Sequence, residues 1–117
     1  MKAVILILSF VSGSLLPGKD PEKKPANLPP SANAGADIRI GSNEFAQLDG
    51  TASREPDGII SRYQWVQVSG KPVTIVNPQA AITAVSGVSK GEYVFRLAVT
   101  DEKGSSSSDE VKLVITE

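Results

Sequence analysis

The fold is decided by residues 93–100, which read Tyr-Val-Phe-Arg-Leu-Ala-Val-Thr. The bulkiest apolar side chains stand at every second position, namely Tyr93, Phe95, Leu97 and Val99. A period of two is typical of a β-strand with one buried face. Val111, Leu113 and Ile115 repeat the period near the end of the chain, after the polar segment 101–108. The two segments therefore predict an antiparallel hairpin whose connection is that polar segment.

Turn signals divide the preceding residues into further short runs. They include Asp49-Gly50, Pro56-Asp57-Gly58, Ser69-Gly70-Lys71-Pro72 and Asn77-Pro78. Such regular spacing favours an all-β sandwich of two antiparallel sheets with about seven strands, and no segment carries a sustained helical period. We assign Leu48, Ile60, Tyr63 and Trp65 to the core. Tyr93, Phe95, Leu97 and Val99 belong to the same core. A single Trp on a middle strand is typical of the filler between two sheets.

Four segments in order then resemble a PKD (polycystic kidney disease) repeat. They are Asn-Ala-Gly-Ala-Asp at 33–37, Leu-Asp-Gly-Thr-Ala-Ser at 48–53, Pro-Asp-Gly-x-Ile-x-x-Tyr-x-Trp at 56–65 and Gly-x-Tyr-x-Phe-x-Leu-x-Val-Thr-Asp-x-x-Gly at 91–104. The resemblance implies an Ig-like sandwich of the PKD type with Tyr93 in a tyrosine-corner contact. It also implies a non-catalytic extracellular or cell-surface module for protein or carbohydrate contacts, or for spacing other domains. Glu55 departs from this pattern, because the family usually has Asp at that position.

The N-terminus predicts export. Lys2 precedes an apolar run from Ala3 to Val11, and small residues follow, which is the order of a secretory signal peptide. We assign residues 1–14 to that signal, 15–30 to a Pro-rich charged linker and 31–117 to the PKD-like domain. The alternative for the apolar run is a buried first strand. The expected location is extracellular, periplasmic or at the cell surface, with no stable membrane insertion after cleavage, since the run is shorter than a bilayer span.

Composition excludes several classes of function. The chain has no Cys and no His, so it lacks a thiol nucleophile, an imidazole base and the usual zinc ligands. Its formal net charge of −1 gives no basic cluster to neutralise a phosphate backbone, which argues against nucleic acid as a partner. We expect no enzymatic activity and no resident cofactor. The domain is expected as a monomer or as part of a multidomain assembly.

Loop carboxylates leave calcium open as a ligand. Asp49, Asp57 and Asp101 are the candidates, because Ca²⁺ prefers carboxylate and carbonyl oxygens. No Asp-x-Asp-x-Asp-Gly loop is present, and local hydrogen bonds in turns account for the same residues.

Phe45 is the one aromatic ring of the predicted domain that the pattern leaves for the surface. A single exposed ring provides little aromatic surface on which a sugar could stack. The sequence therefore favours an exported module for protein contact, adhesion or spacing, and keeps a carbohydrate-binding accessory module as the alternative. The expected partner is an extracellular protein or a polysaccharide.

Overall fold

The computed structural model describes residues 28–117, and the predicted signal peptide and most of the predicted linker lie outside them. Seven strands and no helix are present in this part of the chain. They are β1 (Ile38–Gly41), β2 (Ala46–Asp49), β3 (Ile60–Ser69), β4 (Thr74–Ile75), β5 (Ile82–Ser86), β6 (Gly91–Asp101) and β7 (Ser106–Thr116). A four-stranded sheet has the order β1-β7-β6-β3, and a three-stranded sheet has the order β2-β5-β4. The all-β sandwich fold is thereby confirmed.

The hairpin predicted at the end of the chain is present as β6 and β7. Its ladder runs from Gly91 opposite Ile115 to Thr100 opposite Ser106. The connection is shorter than the sequence indicated, because the serines at 106–108 continue β7 and leave residues 102–105 for the turn. On its other side β6 pairs with β3, which places Trp65 opposite Leu97. The central hairpin strand thus has a neighbour on both sides.

One pairing differs from the expectation of purely antiparallel sheets. Strand β1 lies parallel to β7, with Ile38 opposite Leu113 and Gly41 opposite Thr116. Parallel neighbours need a long connection between them, and here all the intervening strands supply it. The first sheet is therefore mixed, while the second contains only antiparallel pairs.

Alternating side chains from both sheets form one core. Its fully buried large members are Trp65, Tyr93, Phe95, Leu48, Leu97, Leu113, Ile115, Val99 and Val111. Ile60 and Tyr63, which the sequence also assigned to the core, are half-buried and pack at its margin. The reason is the length of β3, whose ten residues form an edge strand and face much shorter strands in the second sheet.

Trp65 joins the strand on which it lies to the loop before β5. Its indole Nε1 donates to the carbonyl of Ala80 at 3.0 Å, and its backbone N donates to the carbonyl of Pro78 at 2.7 Å. The buried ring thus satisfies its polar atom while filling the space between the sheets.

The segment before β1 belongs to the packed domain. Pro30, assigned from sequence to the linker, is buried, and its carbonyl accepts from Ser107 Oγ at 2.6 Å. Ser31 forms a bridge with Arg54, and the backbone N of Ala34 donates to Asp109 Oδ2 at 2.8 Å. These contacts hold the chain from Pro30 onward against β7 and against the segment that contains Arg54.

Candidate functional site

Asp49 serves a local turn. Its Oδ1 accepts from Thr51 N at 2.9 Å and from Thr51 Oγ1 at 2.6 Å. These hydrogen bonds favour the ionised form and lower the pKa of Asp49, with the Thr51 side chain contributing more than its backbone. The carboxylate of Asp49 is therefore used within its own turn.

Asp101 closes the turn between β6 and β7. It is 2% exposed, and its Oδ1 accepts from the backbone N atoms of Lys103 and Ser105, both at 2.9 Å. Its other oxygen, Oδ2, is buried without a hydrogen-bond partner in the described residues. One oxygen of this buried carboxylate is therefore hydrogen-bonded and the other is not.

The turn at 55–58 meets the β6–β7 turn at one end of the sandwich. Ile59 N donates to Glu102 Oε1 at 2.8 Å, and Lys103 Nζ lies 3.9 Å from Asp57 Oδ2. Glu55 Oε1 and Asp57 Oδ1 are also buried without a partner among residues 28–117. We call Glu55, Asp57 and Asp101 the carboxylate cluster.

The surroundings of Glu55 raise the pKa of its carboxyl group. Loss of solvent raises the pKa of Glu55, and the negative charges of Asp101, Asp57 and Glu102 raise it further. A backbone hydrogen bond from Asp57 opposes this change without cancelling it. The folded domain therefore favours the protonated form of Glu55 more than water does.

Two of the three calcium candidates, Asp57 and Asp101, lie in the two turns that meet at this end of the sandwich, whereas Asp49 lies in a different turn. Glu55, at which the sequence departs from the family pattern, lies in the same turn as Asp57. No group of three or more potential ligands within residues 28–117 is arranged to hold a metal ion. The sequence does not indicate that the turn bearing Glu55 meets the β6–β7 turn, because the two turns are distant along the chain.

A second candidate site lies on the outer face of the three-stranded sheet. Ala46 and Leu48 face the core from β2, so Phe45 and Gln47 face outward, and Phe45 is 75% exposed. On β5 the buried Thr83 and Val85 alternate with Ile82, which is 45% exposed.

Val76 belongs to the same face. Its N atom donates to the carbonyl of Ala84 at 2.9 Å, which continues the β4–β5 pairing by one residue. Ile75 before it is half-buried, and Val76 is 62% exposed. We call Phe45, Val76 and Ile82 the apolar patch. The sequence identified only Phe45 of these three, because it gave no sign that Val76 and Ile82 face the same way.

The outer face of the four-stranded sheet offers a comparison. Val66 and Val68 are 41% and 43% exposed there. Beside them Arg96 is paired with Glu110, with Nη2 2.9 Å from Oε2. This face is more polar than the apolar patch, because its two central strands, β6 and β7, carry a charged pair.

The comparisons with known proteins agree with this architecture. The family model described as "K319L-like, PKD domain" matches residues 34–115. The chain belongs to this PKD family. The match includes residues from all seven strands and ends one residue before the end of β7.

Two curated relatives and one solved structure are similar to this PKD domain. It is 40% identical over 91 residues to human dyslexia-associated protein KIAA0319, covering 76% of the chain and 8% of the relative. It is 34% identical over 89 residues to human low-density lipoprotein receptor-related protein 11, covering 74% of the chain and 18% of the relative. The solution structure of the PKD domain from KIAA 1837 protein is 28% identical, with a TM-score of 0.67, and covers 81% of this chain and 93% of that one.

The chain spans less than a fifth of the length of either curated relative. Among residues 28–117, no helix is long and apolar enough to cross a membrane.

Proposed function

We propose that this PKD domain is a non-catalytic extracellular module that binds a protein partner through its apolar patch. The observation that carries the proposal is the exposure of Phe45, Val76 and Ile82 on one face of one sheet. Phe45 directly precedes β2, Ile82 begins β5 and Val76 follows β4, so the three side chains are distributed over all three strands of the sheet. A protein surface of similar shape would remove them from water together.

Burial of these apolar side chains would contribute favourably to the free energy of binding. Burying one large apolar side chain contributes roughly 1.5–3 kcal/mol, and aromatic residues are enriched among those that dominate interface energetics. On this face Gln47 lies opposite Ala84, and Asp49 lies opposite Ile82. Such a surface suits a protein better than a sugar, because sugar platforms usually use more than one ring.

The family assignment supports the extracellular setting. The domain is similar to part of a protein named as receptor-related, and its PKD fold is built from the core alone, without cysteines. Export itself rests on the predicted signal peptide. Adhesion and the spacing of neighbouring domains are the two biological uses that such a module serves.

The first experiment displays the chain as a multivalent probe on an array of extracellular protein domains. Probes with Phe45→Ser or Val76→Ser are compared with a probe carrying Val68→Ser. The control removes an exposed Val from the other sheet. We expect at least one interaction that both patch variants lose and the control keeps. Interactions unchanged by the patch variants, or none with the native probe, would contradict the proposal and leave a spacer.

The second experiment tests the carbohydrate alternative with a broad glycan panel, with and without calcium. We expect no retention of the domain under either condition. Retention that Phe45→Ala abolishes would replace the protein-binding proposal by a carbohydrate-binding one. Calcium-dependent retention that is lost in Asp57→Asn or Asp101→Asn would assign those carboxylates to a ligand site instead.

A further inference from the structure

Strand β2 forms an open edge of the three-stranded sheet. It pairs with β5 on one side, and no described strand pairs with it on the other. Two directly opposite residues of an antiparallel pair either exchange both main-chain hydrogen bonds or make neither. Ala84, opposite Gln47, accepts with its carbonyl from Val76 N on the β4 side at 2.9 Å. The N–H and C=O of Gln47 therefore point to the open edge, where they make no hydrogen bond within residues 28–117.

A groove with a volume of about 300 Å³ runs along this edge, between β2 and the segment that leads into β1. Ala34, Ala36 and Ile38 give it an apolar wall, and Gln47 lines the opposite side. Gly35 lies against the carbonyl of Asp49, because a Cβ on Gly35 would be 3.1 Å from that oxygen. The segment therefore approaches the main chain of Asp49 closely and leaves the main chain of Gln47 accessible from the groove.

Asp49 gives the groove a negative charge. It is the one charged side chain among the described residues that line the groove. Its Oδ1 accepts both hydrogen bonds from Thr51, whereas its Oδ2 has no hydrogen bond or ion pair within residues 28–117. Arg54, the nearest cation along the chain, directs its Nη1 to the carbonyls of Thr51 and Ser53 instead. A cation on a ligand would thus meet a carboxylate oxygen that is still available.

We propose that the edge of β2 binds an extended segment of a partner protein that has a Lys or Arg side chain next to an apolar one. The segment lies along β2 as an added strand, and its main chain pairs with the N–H and C=O of Gln47. Successive side chains of a strand point to opposite faces, so one enters the groove and its neighbour contacts Asp49 Oδ2 on the outer side. The apolar patch consists of side chains on the outer face of the sheet, so this inference stands independently of the proposed function.

The chemistry of the edge selects this ligand. An unpaired main-chain donor and acceptor on one edge residue match the main chain of an extended peptide, which is the basis of strand addition. The alanine and isoleucine side chains of the groove favour an aliphatic side chain, because both surfaces leave water on contact. The carboxylate of Asp49 selects a cation. It also disfavours a second copy of this domain, whose own β2 edge has the same negative charge.

The test selects peptides from a phage-displayed random library on the full chain and measures their affinity by calorimetry. Gln47→Pro removes the outward N–H without loss of a ladder bond, which is the position where an edge strand tolerates Pro. Gln47→Ala is the matched control, because it keeps that N–H. We expect selected peptides to combine a basic with an apolar residue, to bind Gln47→Ala normally and to lose binding to Gln47→Pro. Asp49→Asn should weaken binding about three- to tenfold.

Three outcomes would overturn the proposal. The first is that no peptide is selected, or that Gln47→Pro and Gln47→Ala bind equally well. The second is binding that Val76→Ser abolishes and Gln47→Pro keeps, which would assign the peptides to the apolar patch. The third is a dimer of the native chain in sedimentation that Gln47→Pro abolishes, because the edge would then take a second copy instead.

A second measurement uses only the native chain and so does not depend on how Gln47→Pro folds. Amide hydrogen exchange is followed by NMR with and without a selected peptide. Exchange at Gln47 should become slower when the peptide is bound, because its N–H gains a partner. Exchange at Val68, an exposed residue of the other sheet, should stay the same. Unchanged exchange at Gln47 in the saturated complex would overturn the added strand.

Discussion

The hydroxyl of Tyr93 is hydrogen-bonded twice to the backbone of Ser89. It donates to the carbonyl of Ser89 at 2.7 Å and accepts from the N atom of Ser89 at 2.9 Å. The ring itself is 1% exposed in the core. One side chain thus fixes the loop before β6 to the strand that dominates the core, as the resemblance to a tyrosine corner implies.

Tyr93→Phe removes both of these bonds while keeping the buried ring. We expect a loss of roughly 1–3 kcal/mol in the free energy of unfolding, because two backbone groups lose their partner. Chemical denaturation of the variant measures this loss. Tyr63→Phe is the matched control, since Tyr63 is half-buried and its hydroxyl makes no hydrogen bond within residues 28–117. A loss no larger than that of the control would contradict the structural role of Tyr93.

Gly70 marks a second close contact with the same ring. It has φ of +100°, and a Cβ at this position would lie 2.6 Å from the Glu92 carbonyl oxygen and 2.9 Å from Tyr93 Cδ2. Gly70→Ala therefore adds a steric conflict to an unfavourable backbone conformation. We expect a loss of more than about 2 kcal/mol in stability, because both costs apply.

Gly104 separates these two costs experimentally. Its φ of +95° is close to that of Gly70, but a Cβ there would meet nothing within 4 Å. Gly104→Ala should therefore show only the conformational cost, about 1–2 kcal/mol. Denaturant unfolding of the two variants gives the comparison. Equal losses would mean that the contact between Gly70 and Tyr93 adds nothing.

The sequence predicted the parts of the fold that depend on local alternation. Tyr93, Phe95, Leu97 and Val99 face the core because a strand with period-two apolar residues buries one face wherever its partner comes from. Trp65 followed from the same reasoning, since a ring of that size is stabilised most between two sheets.

The remaining features depend on which distant segments meet, and local pattern does not contain that information. The parallel pairing of β1 with β7 joins opposite ends of the domain. The hydrogen bond from Ile59 N to Glu102 joins two turns that each have ordinary turn chemistry alone. Val76 became part of a surface only because its backbone pairs with Ala84.

Trp65→Phe tests the link between the core and the loop before β5. Phe cannot donate to the carbonyl of Ala80, and its smaller ring leaves space between the sheets. We expect a loss of roughly 2–4 kcal/mol in stability from the cavity and the unpaired carbonyl. Amide hydrogen exchange should also become faster at the backbone N of Gly50, which donates to Ala81 in the same loop. Unchanged exchange there would show that the loop is held independently of the indole.

The carboxylate of Asp49 should stabilise the fold more at neutral pH than at acid pH. Its pKa is lowered by the Thr51 side chain and then by the Thr51 backbone, so its ionised form stabilises the fold above the ordinary pKa. That contribution is lost as the pH falls through the lowered folded pKa. Asp49→Ala should therefore cost about 1 kcal/mol at neutral pH, with the difference from the native chain shrinking toward acid.

Denaturant unfolding from about pH 2 to about pH 7 measures the Asp49 effect. Asp49→Asn serves as the control, because its side-chain oxygen still accepts from Thr51 but carries no charge. It should lose less than Asp49→Ala at neutral pH. A constant difference between Asp49→Ala and the native chain across this range would show that the turn depends on the shape of the side chain at this position and not on its charge.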